Sequence, residues 1–350
     1  MKINNNNGII QIMENIEKLI EKLPEGYEDA ARETGAFTRK REIKSARDLL
    51  LLVFLYIVHG MSYLTVSATA HLKGISLSDV SFMERFAKCG KLIEWILENI
   101  RPKATAHYKK PEKFEKYKIK ALDASVVTSG GKARITHRLH YAIDVFSLKS
   151  DQYKITSEKT GESMTNFKVK PDDLFIGDRA YGTVTSMEHC RKNGANFIFR
   201  LRKNAFHIYY NNGKKIDLIS MLQNLKNNRK LNLKCYYKNA QEEYISVRIC
   251  AMVKPKNLVE TPENDTEFMN NFIVVATSIL DPLICASDIL DLYRIRWQVE
   301  LYFKRLKSLL GFGDVPNKTE ENIKIWLQAK LLCAILLEIT ISEVDFSPSG

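Results

Sequence analysis

Three carboxylates, Asp123, Asp178 and Glu300, lie far apart in the chain, and the settings of the two aspartates make a lone acid expensive. Asp123 follows the apolar run KIKAL and Asp178 follows LFIG, so each reads as the acid at which a strand meets solvent. A carboxylate within or just after an apolar strand is costly unless it is paired or binds a cation. Glu300 lies in YRIRWQVELYFKRLK, a stretch that reads as part of a long helix. Three hard oxygen ligands without a His or Cys cluster describe a Mg²⁺ or Mn²⁺ site, not a zinc site. Such a site can hold two ions that activate a water or hydroxyl and stabilise the leaving oxygen in phosphoryl transfer. Taken singly, Asp123 reads as a strand-end Asp and Asp178-Arg179 as a structural pair. The functional reading rests on the three acids together in a basic chain.

The helix around Glu300 adds a second feature. At about 100° per residue, Arg296, Glu300 and Lys307 fall at roughly −60°, −20° and −40° from Tyr293. The four polar groups share one narrow face, beside the apolar positions Leu292, Val299, Phe303, Leu306 and Leu310. One reading is a solvated face with an Arg296–Glu300 pair four residues apart. The other is a polar ruler set at the edge of a buried surface. The helix alone does not separate them.

These residues must be positioned by a mixed α/β layer. KIKALDASVV, RITHRLHYAIDVFSL and DQYKITSEKT read as strands, DLFIGDRAYG as a strand ending in a charged turn, TVTSMEHCRKNG as a helix stopped by Gly194, and ANFIFRLRK as another strand. Residues 204–271 break that rhythm with short strand candidates and a polar loop, and read as an insertion. Residues 1–116 read as helical, with a helix–turn–helix outline across Gly74–Ser76 and Ser78 as N-cap; an ordinary helical hairpin fits as well.

The composition bounds the partner. The chain has 350 residues, a formal net charge of +12 and 45% hydrophobic residues, which suits a globular protein with a polyanionic partner. Lys and Arg cluster in residues 37–47, 101–120 and 225–238, and three such stretches favour backbone phosphate contacts. Arg200, Arg202, Lys203, Lys226 and Arg229 are candidate contacts, although a solvated face explains each of them. The six cysteines show no zinc-ligand spacing and read as core thiols of a reducing compartment. The N-terminus has no signal-peptide signature, and LLLLVFLYIV is too short to span a bilayer. The expectation is a cytoplasmic, nucleoid-associated protein without a membrane partner.

Tyr293-x2-Arg296-x3-Glu300-x6-Lys307 matches at every spacing the YREK signature of the insertion sequence 4 family, so the chain resembles the DDE transposases of bacterial insertion sequences. Asp123 in LDASVV and Asp178 in GDRAYG support the resemblance, and the likeness covers roughly Glu33 to Gly311. The long interval before Glu300 is similar to members with a β-rich insertion. The resemblance implies a ribonuclease H-like catalytic core over 117–203 and 272–318. It also implies a β-rich insertion at 204–271, an all-helical DNA-binding domain at 1–116 and a C-terminal helix at 319–350. Asp123, Asp178 and Glu300 would bind two divalent metals, Mg²⁺ or Mn²⁺. Tyr293, Arg296 and Lys307 would hold the DNA end, with Arg179, Arg200, Arg202 and Lys203 as further DNA contacts.

The activity so implied is cut-and-paste transposition, with cleavage at the element's ends and strand transfer into target DNA, by a homodimer across two inverted-repeat ends of double-stranded DNA. Related enzymes can stack a flipped base on a Trp of the insertion, and here Phe272 stands at the comparable place. Two alternatives stay open: a ribonuclease H-like nuclease that joins nothing, and an inactive or truncated descendant that occupies element ends and represses.

Overall fold

The computed structural model describes residues 3–100, 109–128, 136–147, 150–225, 229–254, 262–297, 300–301, 304, 315 and 319–344. The chain is mixed α/β, a helical N-terminal region followed by a nine-stranded sheet with helices. It divides into two compact units, one of residues 1–105, 127–137 and 304–350, the other of 106–126 and 138–303.

The first unit holds helices α1 (Ile3–Ile20), α2 (Tyr27–Glu33), α3 (Ala46–His59), α4 (Tyr63–Ala70), α5 (Asp79–Ala87), α6 (Gly90–Asn99) and α11 (Glu320–Val344). Ser45, Ser62 and Ser78 cap α3, α4 and α5 by accepting from the amides of Asp48, Thr65 and Ser81. Gly60 ends α3 in the left-handed region at φ 60°, where a side chain would strain. Leu49 to Ile57 are all buried. A helix apolar all round is a core helix, which accounts for the long hydrophobic run without a membrane; among the described residues no helix is long and apolar enough to cross one. The helix–turn–helix outline is present as α4, a 3₁₀ turn at His71–Lys73, Gly74 at φ 70° and α5. Helices α2 and α6 were not anticipated, although Leu92, Ile93, Ile96 and Leu97 of α6 form an ordinary buried stripe.

The second unit is built on strands β1 (Lys118–Thr128), β2 (Thr136–Asp144), β3 (Ser150–Ser157), β4 (Asp173–Gly177), β5 (Asn196–Arg200), β6 (Ile208–Tyr209), β7 (Leu231–Lys238), β8 (Tyr244–Val253) and β9 (Phe272–Thr277). β1 and β2 run on into the first unit at residues 127–128 and 136–137. The strand order is β3-β2-β1-β4-β5-β9-β8-β7-β6. β1, β4 and β5 are parallel, and β9, β8, β7 and β6 continue the sheet antiparallel, an arrangement consistent with a ribonuclease H-like core. The strands of 204–271 therefore extend the sheet through β9. They also share its core, which runs from Leu122, Phe175 and Phe199 to Cys235, Tyr237, Val247 and Ile249. Helices α7 (Val184–Lys192), α8 (Leu218–Gln223), α9 (Asp265–Asn270) and α10 (Ala286–Arg294) complete the unit.

Two expectations need correction here. Asp123 is not at a strand end, because β1 continues past it to Thr128. The long helix around Tyr293 is interrupted: α10 ends at Arg294, Ile295 and Arg296 form a turn, and helical geometry resumes at Trp297. The amides of Ile295 and Arg296 bond to carbonyls three residues back, at 3.1 Å each, which tightens the last turn and breaks the register of a continuous helix.

Candidate active site

Parallel pairing brings the two aspartates together. Ala121 of β1 faces Ile176 of β4, so Asp123 and Asp178, each two residues further along, reach the same level. Gly177 faces Phe199 of β5, which places Arg200 level with Asp178. Asp123 in the middle of β1 thus forms a row with Asp178 and Arg200 at the carboxyl ends of β4 and β5, the usual place for a site in an open α/β sheet. Neighbouring β9 and β8 run the other way. Their pairing, Val253 with Phe272, delivers Lys254, Asn270 and Asn271 to the same edge.

The turn after β4 depends on its glycines. Ala180 N donates to Asp178 Oδ1 at 2.9 Å, and Tyr181 N donates to the Asp178 carbonyl at 3.2 Å. A Cβ on Gly182 would stand 2.2 Å from the Arg200 carbonyl oxygen, so only glycine lets this turn close onto β5. Thr183 then caps α7 through the Ser186 amide.

A cleft of about 360 Å³ is lined by Asp178, Arg179, Arg200, Lys254, Asn270, Asn271, Arg296 and Glu300. Four cations face two carboxylates. The Nε groups of Arg179, Arg200 and Arg296 are buried without a hydrogen-bond partner among the described residues. Burial, and then the charge of Arg200, hold the Arg179 guanidinium below its ordinary range. Unsatisfied buried donors of one sign are costly, and an anion with several acceptor oxygens relieves that cost. Arg296 donates from Nη2 to Glu300 Oε1 at 2.5 Å and lies 5.8 Å over the Tyr293 ring. Burial works against its charge, but Tyr293 and Glu300 outweigh burial and raise it. The Arg296–Glu300 pair anticipated on a solvated face is thus present, but in the wall of a cleft.

Asp123 is half-buried, and among the described residues only the Ala124 amide, at 2.8 Å, hydrogen-bonds its carboxylate. Burial first, with repulsion from Asp178 and Glu162, pushes it up to about 6 against the pull of that amide and Arg296. Burial and the Asp178 charge also raise Glu162. The Tyr181 hydroxyl is fully buried beside Glu162, Asp123 and Asp178, has no hydrogen-bond partner among the described residues, and its ionisation is driven up by burial first and then by those acids. Hard oxygen donors gathered in a partly buried site are a donor set suited to a hard divalent cation. Among the described residues no three His, Cys, Asp or Glu side chains converge closely enough to hold a metal as they stand.

The remaining sequence candidates fall elsewhere. Lys307 and Lys226 lie outside the described residues. Arg202 is exposed and does not line the cleft, and Lys203 Nζ pairs with Asp265 at 2.9 Å. Phe272 is buried against Phe268, their ring centres 5.1 Å apart, and offers no face to a base. All six cysteines are free; five are buried, but Cys285 is exposed at the start of α10, which corrects the reading of a wholly internal set. Glu162, Lys254, Asn270 and Asn271 were missed, because nothing local marks them: strand register brings Lys254, Asn270 and Asn271 to the site.

The pattern of the transposase DDE domain matches residues 114–337. The transposase for insertion sequence element IS421 of Escherichia coli is 27% identical over 352 residues, covering 93% of each chain. That of IS231E from Bacillus thuringiensis subsp. finitimus is 24% identical over 247 residues, covering 62% of this chain and 51% of its own. That of IS1151 from Clostridium perfringens is 24% identical over 230 residues, covering 57% and 47%. With that pattern spanning more than half of its length, the chain belongs to the DDE transposases, enzymes of phosphoryl transfer.

Proposed function

We propose that this protein cleaves the ends of its own insertion sequence and joins the freed 3′-hydroxyl ends to target DNA, with Asp123, Asp178 and Glu300 as the acids of the reaction. The observation that carries the reading is the cleft where Asp178 and Glu300 stand beside three arginines with unpartnered buried Nε groups. Asp123, Asp178 and Glu300 would hold the two divalent ions, Mg²⁺ or Mn²⁺. Bound there, the ions would supply a deprotonated nucleophile and charge stabilisation at the phosphorus.

The protein's own residues do the rest. Arg179 and Arg200 bind non-bridging oxygens of the scissile phosphate and fix its orientation against the Asp123–Asp178 row. Arg296 holds the Glu300 carboxylate and releases it toward the row when phosphate enters, since the phosphate then satisfies the guanidinium. Tyr293 supports the Arg296 plane from beneath, and Lys307 contacts the strand further along. Arg202 and Lys203, outside the cleft, serve as backbone contacts. In this reading residues 1–116 form the DNA-binding domain, 117–203 and 272–318 the ribonuclease H-like core with 204–271 inserted, and 319–350 the C-terminal helix. The enzyme works in the bacterial cytoplasm as a homodimer that synapses two inverted-repeat ends.

A strand-transfer assay with pre-nicked end duplexes tests the reading. The wild type should give joined product in Mg²⁺ or Mn²⁺, and Glu300→Gln should give none while still binding DNA. Hydrolysis without joining would indicate a nuclease, and binding without either step a repressor; both would overturn the proposal.

A further inference from the structure

The outer face of β6–β8 lies away from the cleft and is built differently from an ordinary solvated sheet. Ile208, Cys235, Tyr237 and Val247 point into the core, so alternation sends Tyr209, Lys234, Tyr236, Lys238, Tyr244 and Ser246 to the opposite face. Register confirms the layout: Tyr209 faces Tyr236, Tyr236 faces Ser246, and Lys238 faces Tyr244. One end of this face is closed, because Arg248 is buried and donates to Asn232 Oδ1 and to the Ile284 carbonyl. The other end is open, with Lys234 and Ser246 exposed and Tyr244 47% exposed.

The tyrosines are locked together. Tyr244 meets Tyr209 edge-on at 5.5 Å and Tyr236 at 6.5 Å, and Lys238 Nζ sits 5.7 Å and 5.2 Å from the Tyr209 and Tyr244 ring centres. Rings packed on one another and on an ammonium have little face left for a base to stack on. What they present outward is hydroxyl groups and ammonium charge. Those are donors for phosphate oxygens spaced along a duplex, not a platform for unpaired bases. The Lys238–Glu242 ion pair is exposed at 31% and 76%, and an exposed pair of this kind is readily exchanged for a phosphate. Charge agrees: residues 214–254 carry nine Lys/Arg against three Asp/Glu, a net +6 of the chain's +12.

We infer that the Tyr209–Lys234–Tyr236–Lys238–Tyr244 face of the inserted strands is a second DNA-binding surface, which grips the backbone of duplex DNA outside the catalytic cleft. It rests on the transposase reading for the identity of its partner, but not on the chemistry of the cleft. Its role is to extend the footprint on the DNA and to add affinity without touching the scissile bond.

The test uses the full-length protein and a fluorescein-labelled duplex taken from the end of the element that encodes it. Binding is titrated across salt concentrations, and nicking is measured at saturating protein. Lys234→Ala with Lys238→Ala should lower the slope of log K against log salt by about 1.8, at roughly 0.9 per phosphate lost, and weaken binding by some tens of fold near 0.1 M salt. Nicking at saturation should be unchanged. Tyr236→Phe with Tyr244→Phe keeps the rings, and hence the fold, and should weaken binding a few-fold with the same slope. An unchanged slope and affinity in the lysine variant, with nicking intact, would overturn this surface and spare the reading of the cleft. A reduced slope in a protein that never nicks would uphold the surface and overturn that reading instead.

Discussion

β1 and β4 carry charge at two levels along their length, and the two levels are solved in opposite ways. Near the amino ends, Lys120 Nζ lies 2.9 Å from Asp173 and 3.0 Å from Asp151, and the lysine and Asp173 are almost wholly buried. The buried Lys120 and Asp173 charges cancel inside the protein, and Asp151, 28% exposed, keeps solvent on its carboxylate. Further along, Asp123 and Asp178 stand level with no lysine or arginine in ion-pair contact among the described residues, beside arginines whose Nε groups have no partner there. The first arrangement is complete as it stands. The second would be completed by cations for its acids and an anion for its arginines, as the proposed phosphoryl-transfer site requires.

The comparison can be broken most severely at Asp178. Asp178→Ala should lower end cleavage by about a thousandfold or more, as expected when an acid of the reacting centre is removed. Its melting temperature should hold or rise, because a repulsive carboxylate is gone; parallel nicking and melting assays check both halves. Lys120→Ala reverses the pattern. Leaving Asp173 buried and unpaired should cost about 3–5 kcal/mol in urea unfolding, whereas Lys120→Met with Asp173→Leu should recover most of that loss.

A third prediction concerns pH. His140 is fully buried on β2, with its Nε2 3.0 Å from Thr156 Oγ1 and Phe167 against its ring. Burial first, then the charges of Arg138 and Lys154, push it down to about 4 from 6.5. The unfolded chain therefore takes up this proton first, so stability present at pH 7 is lost as pH falls through 6.5 toward 4 and changes no further below that. The loss should be roughly 3 kcal/mol. His140→Gln should flatten that part of the urea-stability profile; an unchanged profile would remove His140 as its cause. Smallest is Gly182→Ala, where a Cβ 2.2 Å from the Arg200 carbonyl must push the two strand ends apart. About 1–3 kcal/mol of stability should go, with a larger fractional loss of cleavage than of melting temperature.

Much of this was legible in the chain. The strand runs, the Ser78 cap, the turn at Gly74 and the Gly194 stop follow from local rules, and the structure has each of them. The Tyr293–Lys307 spacing pointed to the family, which the match over residues 114–337 shows. What escaped depended on register or on tertiary packing. No Pro or Gly marks the break at Ile295–Arg296, because the tightening is a matter of which carbonyl each amide reaches. Lys254 and Asn270 belong to the cleft only because β8 and β9 turn back antiparallel beside β5. Asp123 was read as a strand end because it closes the apolar run KIKAL, yet β1 runs on past it through Val126 and Val127 to Thr128.

The most direct measurement places the two levels of the strands side by side. Wild type, Asp178→Ala and the Lys120→Met/Asp173→Leu pair would be assayed for Mg²⁺- or Mn²⁺-dependent nicking of an end duplex, with melting temperature followed in parallel. The account predicts no nicking but an intact fold for Asp178→Ala, and near-normal nicking for the neutralised pair. If Asp178→Ala nicks as well as the wild type, the acids of the second level are not the site of phosphoryl transfer.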